Sequence, residues 1–197
     1  PPPVVRTVIP TPVAASIEGF DVPAMVPTLE DMPSGATLQS EGSSPAAGAL
    51  DAYTRRFVAI AGESAMRLGS SEATELQITV GVHTNAQIAA IPIQVISSLG
   101  PDELGGLFRQ GFAGSACISP TNISAGTVEF PQVGDVTTAL LLQLTTTSGN
   151  LESYLVYFAR GRVRAQLSAV GQVGKLQVQD LRQLAELIDG RIQRNSP

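Results

Sequence analysis

The segment TELQITVGVHTN, residues 74–85, is written in period two. Leu76, Ile78, Val80 and Val82 fall on one face of an extended chain, and Gln77, Thr79, Gly81 and His83 fall on the other. It reads as a strand with one buried face, and His83 points away from that face, toward an accessible surface. Asn85 follows as a helix N-cap for NAQIAAIPIQVISSLG, a helix interrupted or kinked near Pro92 and ended by Gly100-Pro101. PDELGGLFRQG then offers a second short helix, with Pro101 in its first turn and Asp102 and Glu103 beside it.

Farther toward the C-terminus the pattern is regular. SAGTVEF, VTTALLLQLTTT, LESYLVYFA and RVRAQLSAVG are strand-like runs separated by the turns PQVGD, SGN and Arg-Gly, an antiparallel meander. VQDLRQLAELIDGRIQ closes the chain with Val178, Leu181, Leu184, Ala185, Leu187, Ile188 and Ile192 on one stripe, an amphipathic helix in need of a sheet. Toward the N-terminus, residues 29–35 read as a helical turn stopped by Pro33 and Gly35, followed by a strand from Ala36 to Glu41. ALDAYTRRFVAIAG fits helix and strand equally well. The sum is an α+β domain over residues 21–197, an antiparallel meander with helices packed on one face. Residues 1–20 contain five prolines and form an extended linker, or an arm lying along the domain.

In TTALLLQLTTT both faces are apolar near the middle: Ala139 and Leu141 on one, Leu140, Leu142 and Leu144 on the other. Something therefore covers the second face, either a helix or loop of the same chain or an interaction partner.

Composition narrows the function classes. The net charge is -5 and there is no Lys/Arg run, which argues against nucleic-acid binding, where phosphate neutralisation dominates affinity. No apolar run approaches the roughly 20 residues of a membrane span. Only 15% of residues are charged and Trp is absent, a look common among exported chains. Cys117 is alone and flanked by small and apolar residues, so it reads as a buried structural thiol.

Several short patterns resemble a known group. LEDMPSGATLQSEG resembles the DLPxGW opening of exported bacterial domains, and PQVGDVTTALLLQL matches their mid-chain PxxGD before a long strand. YLVYFARGRVRAQLSAVG with LRQLAELIDGRI resembles their strand, Arg-Gly hairpin, strand and closing helix. These features are similar to small lipoproteins and sensor-like domains of Chloroflexota and actinobacteria, of the kind compared with the PsbP and Mog1 fold. The resemblance spans about residues 22–194. It implies a secreted or membrane-anchored α/β sandwich with no cofactor and no known chemistry, commonly held by a lipidated Cys ahead of a spacer. This chain departs from it in having Ala36 where the pattern has Trp and no Cys at Pro1, so an anchor lies outside this sequence.

Tests for chemistry find no catalytic set. GESAM has Met66 where a G-x-S-x-G nucleophile elbow needs its second glycine, and His83 is the only histidine available to a triad. No second His, Cys pair or calcium-loop spacing points to a metal, GGLFRQG lacks the Lys-Ser/Thr of a phosphate loop, and the Asn122 acceptor triplet is a chance match. Catalytic, cofactor and metal residues are accordingly none. The interaction candidates are Arg160, Arg162 and Arg164, a cluster suited to a carboxylate or a lipid phosphate, unless it is only the solvated face of a strand. The expected function is a non-enzymatic extracytoplasmic accessory or interaction domain at the cell surface, with a protein partner. The alternative is a small-molecule or lipid carrier with an apolar pocket between sheet and helices.

Overall fold

The computed structural model describes residues 16–43, 48–112, 122–146 and 149–197. The period-two segment forms β5 (Glu75–His83), and its Leu76, Ile78, Val80 and Val82 are all fully buried. Before it come α1 (Val22–Met25), a 3-10 turn (Leu29–Asp31), β1 (Ala36–Ser43), β2 (Ala49–Ala59), β3 (Met66–Leu68) and β4 (Ser71–Ala73). After it come α2 (Ala86–Ser98), α3 (Pro101–Phe112), β6 (Asn122–Val128), β7 (Val136–Thr146), β8 (Gly149–Arg160), β9 (Val163–Gln172) and α4 (Val178–Arg194). The segment that fitted helix and strand equally is β2. Its partners decide the matter, since it pairs with both β1 and β5.

Seven strands make one antiparallel sheet in the order β1-β2-β5-β9-β8-β7-β6, and β3 and β4 make a separate hairpin. The meander β6 to β9 is continuous, and β9 then docks against β5 instead of a sequence neighbour. Helices cover both faces, which corrects the expectation of one. α4 and α1 pack against Phe57, Ile78, Val156, Phe158, Ala165 and Leu167 on one side. α2 and α3 pack on the other, around Leu140, Leu142, Leu155 and Ala159. The reason lies in the strands with two apolar faces. Leu140 and Leu142 needed a cover of their own, and Leu104 of α3 with Ile96 of α2 and Leu99 at its C-cap supplies it from within the chain.

Local chemistry fixes the element ends. Asn85 Oδ1 accepts from Ile88 N at 2.9 Å, the N-cap expected from the sequence. α2 runs on through Pro92 even though proline removes one ladder donor, and the exposed position of Ile88, whose carbonyl loses that donor, lets water take its place. In PQVGD, Gly134 has φ +66°, and a Cβ there would lie 2.4 Å from Ala159 O, so only glycine lets the loop approach β8. Asp135 then donates its N–H to Ala159 O and accepts from Gly161 N at 2.7 Å, bracing the β8–β9 hairpin. Gly161, at φ +52°, supplies the left-handed first position of that two-residue turn.

The ends of the described chain meet. Asp21 N donates to Asn195 O at 3.2 Å, Arg162 donates to Ser16 O at 2.8 Å, and Gly19 lies against the Pro197 ring. Residues 16–20 thus follow the domain surface, with Phe20 packed on the main core.

Asp180, in the first turn of α4, is the main polar anchor. Its Oδ2 accepts from Ser70 N, Ser70 Oγ, Ser71 N and Ser71 Oγ at 2.8–3.0 Å. Ser71 Oγ in turn accepts from Gln177 N, and Glu152 Oε1 accepts from Leu176 N. The β3–β4 hairpin, the start of β8 and the start of α4 are tied together here. Burial pushes the Asp180 carboxyl upward, but the hydrogen bonds from Ser71 and Ser70 outweigh it and leave the pKa below its ordinary value of 3.8. A depressed carboxylate stabilises the fold above its unfolded pKa and loses that contribution as pH falls through the folded one. Asp180→Asn is expected to cost about 2 kcal/mol at neutral pH. In chemical denaturation the gap between variant and wild type should shrink as pH drops below about 4; an equal gap at all pH values would contradict the charge-assisted role.

Candidate recognition site

The face of the sheet under α2 divides into two halves. Over β6, β7 and β8 it is apolar and roofed by α2 and α3. Over β1, β2, β5 and β9 it is polar, because the pleat that sends Leu76, Ile78 and Val80 into the core sends Glu75, Gln77 and Thr79 the other way. Register places Thr54 and Arg56 of β2 beside Thr79 and Gln77, and Gln166 and Ser168 of β9 on their other side. Thr54 Oγ1 and Thr79 Oγ1 are 2.8 Å apart, and Arg56 grips Glu75 through Nε and Nη2 at 2.8 and 2.6 Å. Val58 and Val170, which flank Glu75, and Ala52 opposite Gly81 interrupt the polar surface. Among the described residues no helix packs on β1 or β2 from this side.

At the seam between the halves stand three titratable groups on adjacent strands: His83, Arg164 and Tyr157. Arg164 lies opposite Gly81 on one side and Ala159 on the other, next to α2, which contacts β5, β9 and β8. It is half-buried, and burial holds its pKa below the usual arginine range, with Tyr157 acting in the opposite sense. Burial likewise raises the Tyr157 phenol, which packs beneath α2 and α3.

His83 corrects an expectation. It leaves the apolar face as its parity requires, yet it is 0% exposed, because the start of β2 and the adjoining Gly48 close over it. Its Nδ1 lies 3.0 Å from Gly48 O, and since a carbonyl only accepts, Nδ1 carries the proton. Nε2 is then the lone-pair nitrogen, shut from solvent and without a partner. Burial first, and the Arg164 charge second, hold the imidazole below its ordinary 6.5.

The structure does not gather the three candidate arginines into one patch. Arg160 and Arg162 flank the hairpin tip and line a cavity of about 440 Å³ with Phe20, Val163, Gln193, Ser196 and Pro197. Arg160 is held by Asp189 through Nε and Nη2 at 2.6 and 2.7 Å, and Arg162 lies over the Phe20 ring. Arg164 stands apart on the sheet face. Cys117 lies outside the described residues. Among those described, no group of three His, Cys, Asp or Glu could hold a metal, and no helix is long and apolar enough to cross a membrane.

No family model matches the chain, and no curated protein matches it in sequence. Among solved structures, the crystal structure of the extracellular domain of PknH from Mycobacterium tuberculosis is similar, with a TM-score of 0.58 over 93% of this chain and 98% of that one at 11% identity. The likeness is one of fold.

A histidine whose folded pKa is depressed stabilises the fold above its unfolded pKa, and this contribution fades as pH falls. The thermal midpoint of the wild type should therefore drop between about pH 7.5 and pH 5.5, and that of His83→Gln should drop less. Parallel curves would show that His83 titrates as it does in the unfolded chain.

Proposed function

We propose that this chain is a non-enzymatic recognition domain working outside the cytoplasm, and that the polar half of its sheet docks a protein partner. The observation that carries the reading is the half-buried Arg164 between Tyr157 and His83, at the seam where α2 leaves the sheet. A partly exposed arginine at the border of an uncovered polar face offers a charge that a protein partner can complement. The fold likeness to an extracellular domain supports the location. So does the resemblance to exported PsbP- and Mog1-type domains, with the Pro-rich first residues as a spacer to an anchor. Arg164 contributes charge to the docking face, and Gln166, Thr79 and Gln77 contribute hydrogen-bonding side chains. The carrier reading finds less support, because the space between sheet and α4 is filled by Leu181, Leu184, Ala185, Ile188 and Ile192, all buried against the strands.

The test is capture from native membranes of the source cells, with the wild-type chain and with Thr79→Arg and Gln166→Arg as baits. Both substitutions add bulk and charge to the open face without touching the core, so their thermal midpoints should stay close to wild type. A stoichiometric partner captured by the wild type and lost by both variants is the expected result. Equal capture by all three baits, or none by the wild type, would overturn the docking role.

A further inference from the structure

The cavity at the β8–β9 hairpin tip lies away from the proposed docking face and has a chemistry of its own. Two guanidinium groups on either side of Gly161 line it, and both are clamped along the same edge. Arg160 spends Nε and Nη2 on the two oxygens of Asp189. Arg162 spends Nε on His83 O at 2.9 Å and Nη2 on Ser16 O at 2.8 Å. In each case Nη1 donates no hydrogen bond among the described residues; that of Arg160 stands 4.0 Å from Asp135 Oδ1. The two differ in charge balance. Arg160 is neutralised by Asp189, whereas the clamps on Arg162 are carbonyls and no carboxylate pairs with it among the described residues.

The other walls define what would complement that charge. Phe20, Val163 and Pro197 are apolar, and the Phe20 ring lies 5.1 Å from the Arg162 guanidinium carbon, fixing its plane. Ser196 Oγ is closed to solvent and has no partner. Gln193 gives its amide nitrogen to Asp189 Oδ2, which leaves its oxygen uncommitted. A pre-positioned cation and apolar walls within about 440 Å³ suit a small ligand with one anionic end and a compact apolar body.

We propose that this cavity is a binding site for an organic carboxylate with a short aliphatic or aromatic body. Arg162 Nη1 donates to the carboxylate, and Phe20, Val163 and the Pro197 ring enclose the body. Such a group has two natural sources, a free small acid or the C-terminal carboxylate of a peptide. The site does not depend on the docking role of the polar sheet face. A failure there is read in partner capture, and a failure here in small-molecule binding.

The probes are benzoate and N-acetyl-phenylalanine, each with its neutral amide as control, titrated into the full 197-residue chain and followed by nitrogen-15 NMR. Saturable shifts centred on Gly161, Arg162 Nε and Gln193 with a carboxylate, and none with its amide, are expected. Arg162→Gln should weaken binding by about tenfold or more, as loss of one charge-assisted hydrogen bond requires. Arg162→Lys, which keeps the charge and loses the fork, should weaken it by a smaller factor and serves as the readout if Arg162→Gln does not fold. Tighter binding of N-acetyl-phenylalanine assigns the site to peptide ends, and tighter binding of benzoate assigns it to free acids. Three results would each overturn the proposal: amides that bind as well as acids, shifts located elsewhere, or both variants binding like wild type.

Discussion

Adjacent strands in register must turn their side chains up and down together, and in β5, β9 and β8 this constraint sets everything else. Once Val80, Ala165 and Val156 lie on the α4 side, Thr79, Gln166 and Tyr157 have no choice but the opposite side. A slip of one residue in any of these pairs would bury Gln and Arg under α4 and expose Ile and Leu. The helices are placed by the same rule. α4 takes the face that is apolar on every central strand, and α2 and α3 take the part of the other face where β7 and β8 turn apolar as well. What remains uncovered is the part where parity delivered polar residues.

Much of this was legible in the order of residues. Strict alternation gave β5 and its inward residues; Asn85, Gly161 and the stripe from Val178 to Ile192 gave a cap, a turn and a helix that all stand in the structure. The doubly apolar run around Leu140 announced a second cover. Its source, α3 beside β6, could not be read, because that contact joins segments whose approach depends on the whole sheet order. The β3–β4 hairpin escaped notice for a different reason. Its strands are too short to show a period, and its place is fixed by one carboxylate more than a hundred positions away, Asp180 on Ser70 and Ser71.

The groups of the candidate site were harder to see. Parity put His83 on the correct side of β5, but accessibility depends on what lies above, and Gly48 with the first residues of β2 closes that space. The arginines of RGRVR looked like one cluster because they alternate. The tight turn separates them: Arg160 and Arg162 reach around the sheet end to Asp189, His83 O and Ser16 O, and Arg164 stays over the sheet. Tyr157 carried no signal of its own, sitting in a strand apolar on both faces. Its neighbour Arg164, on the paired strand β9, was the only nearby residue the sequence singled out.

The junction of Asp21 with Asn195, and of Ser16 with Arg162, has a mechanical meaning. Tension applied through the two ends of the described chain enters the domain at a single corner, where a few hydrogen bonds can open one after another. These bonds lie outside the strand ladders of the sheet. Withdrawal of Ser16 would free Arg162 Nη2, while Arg162 Nε stays on His83 O.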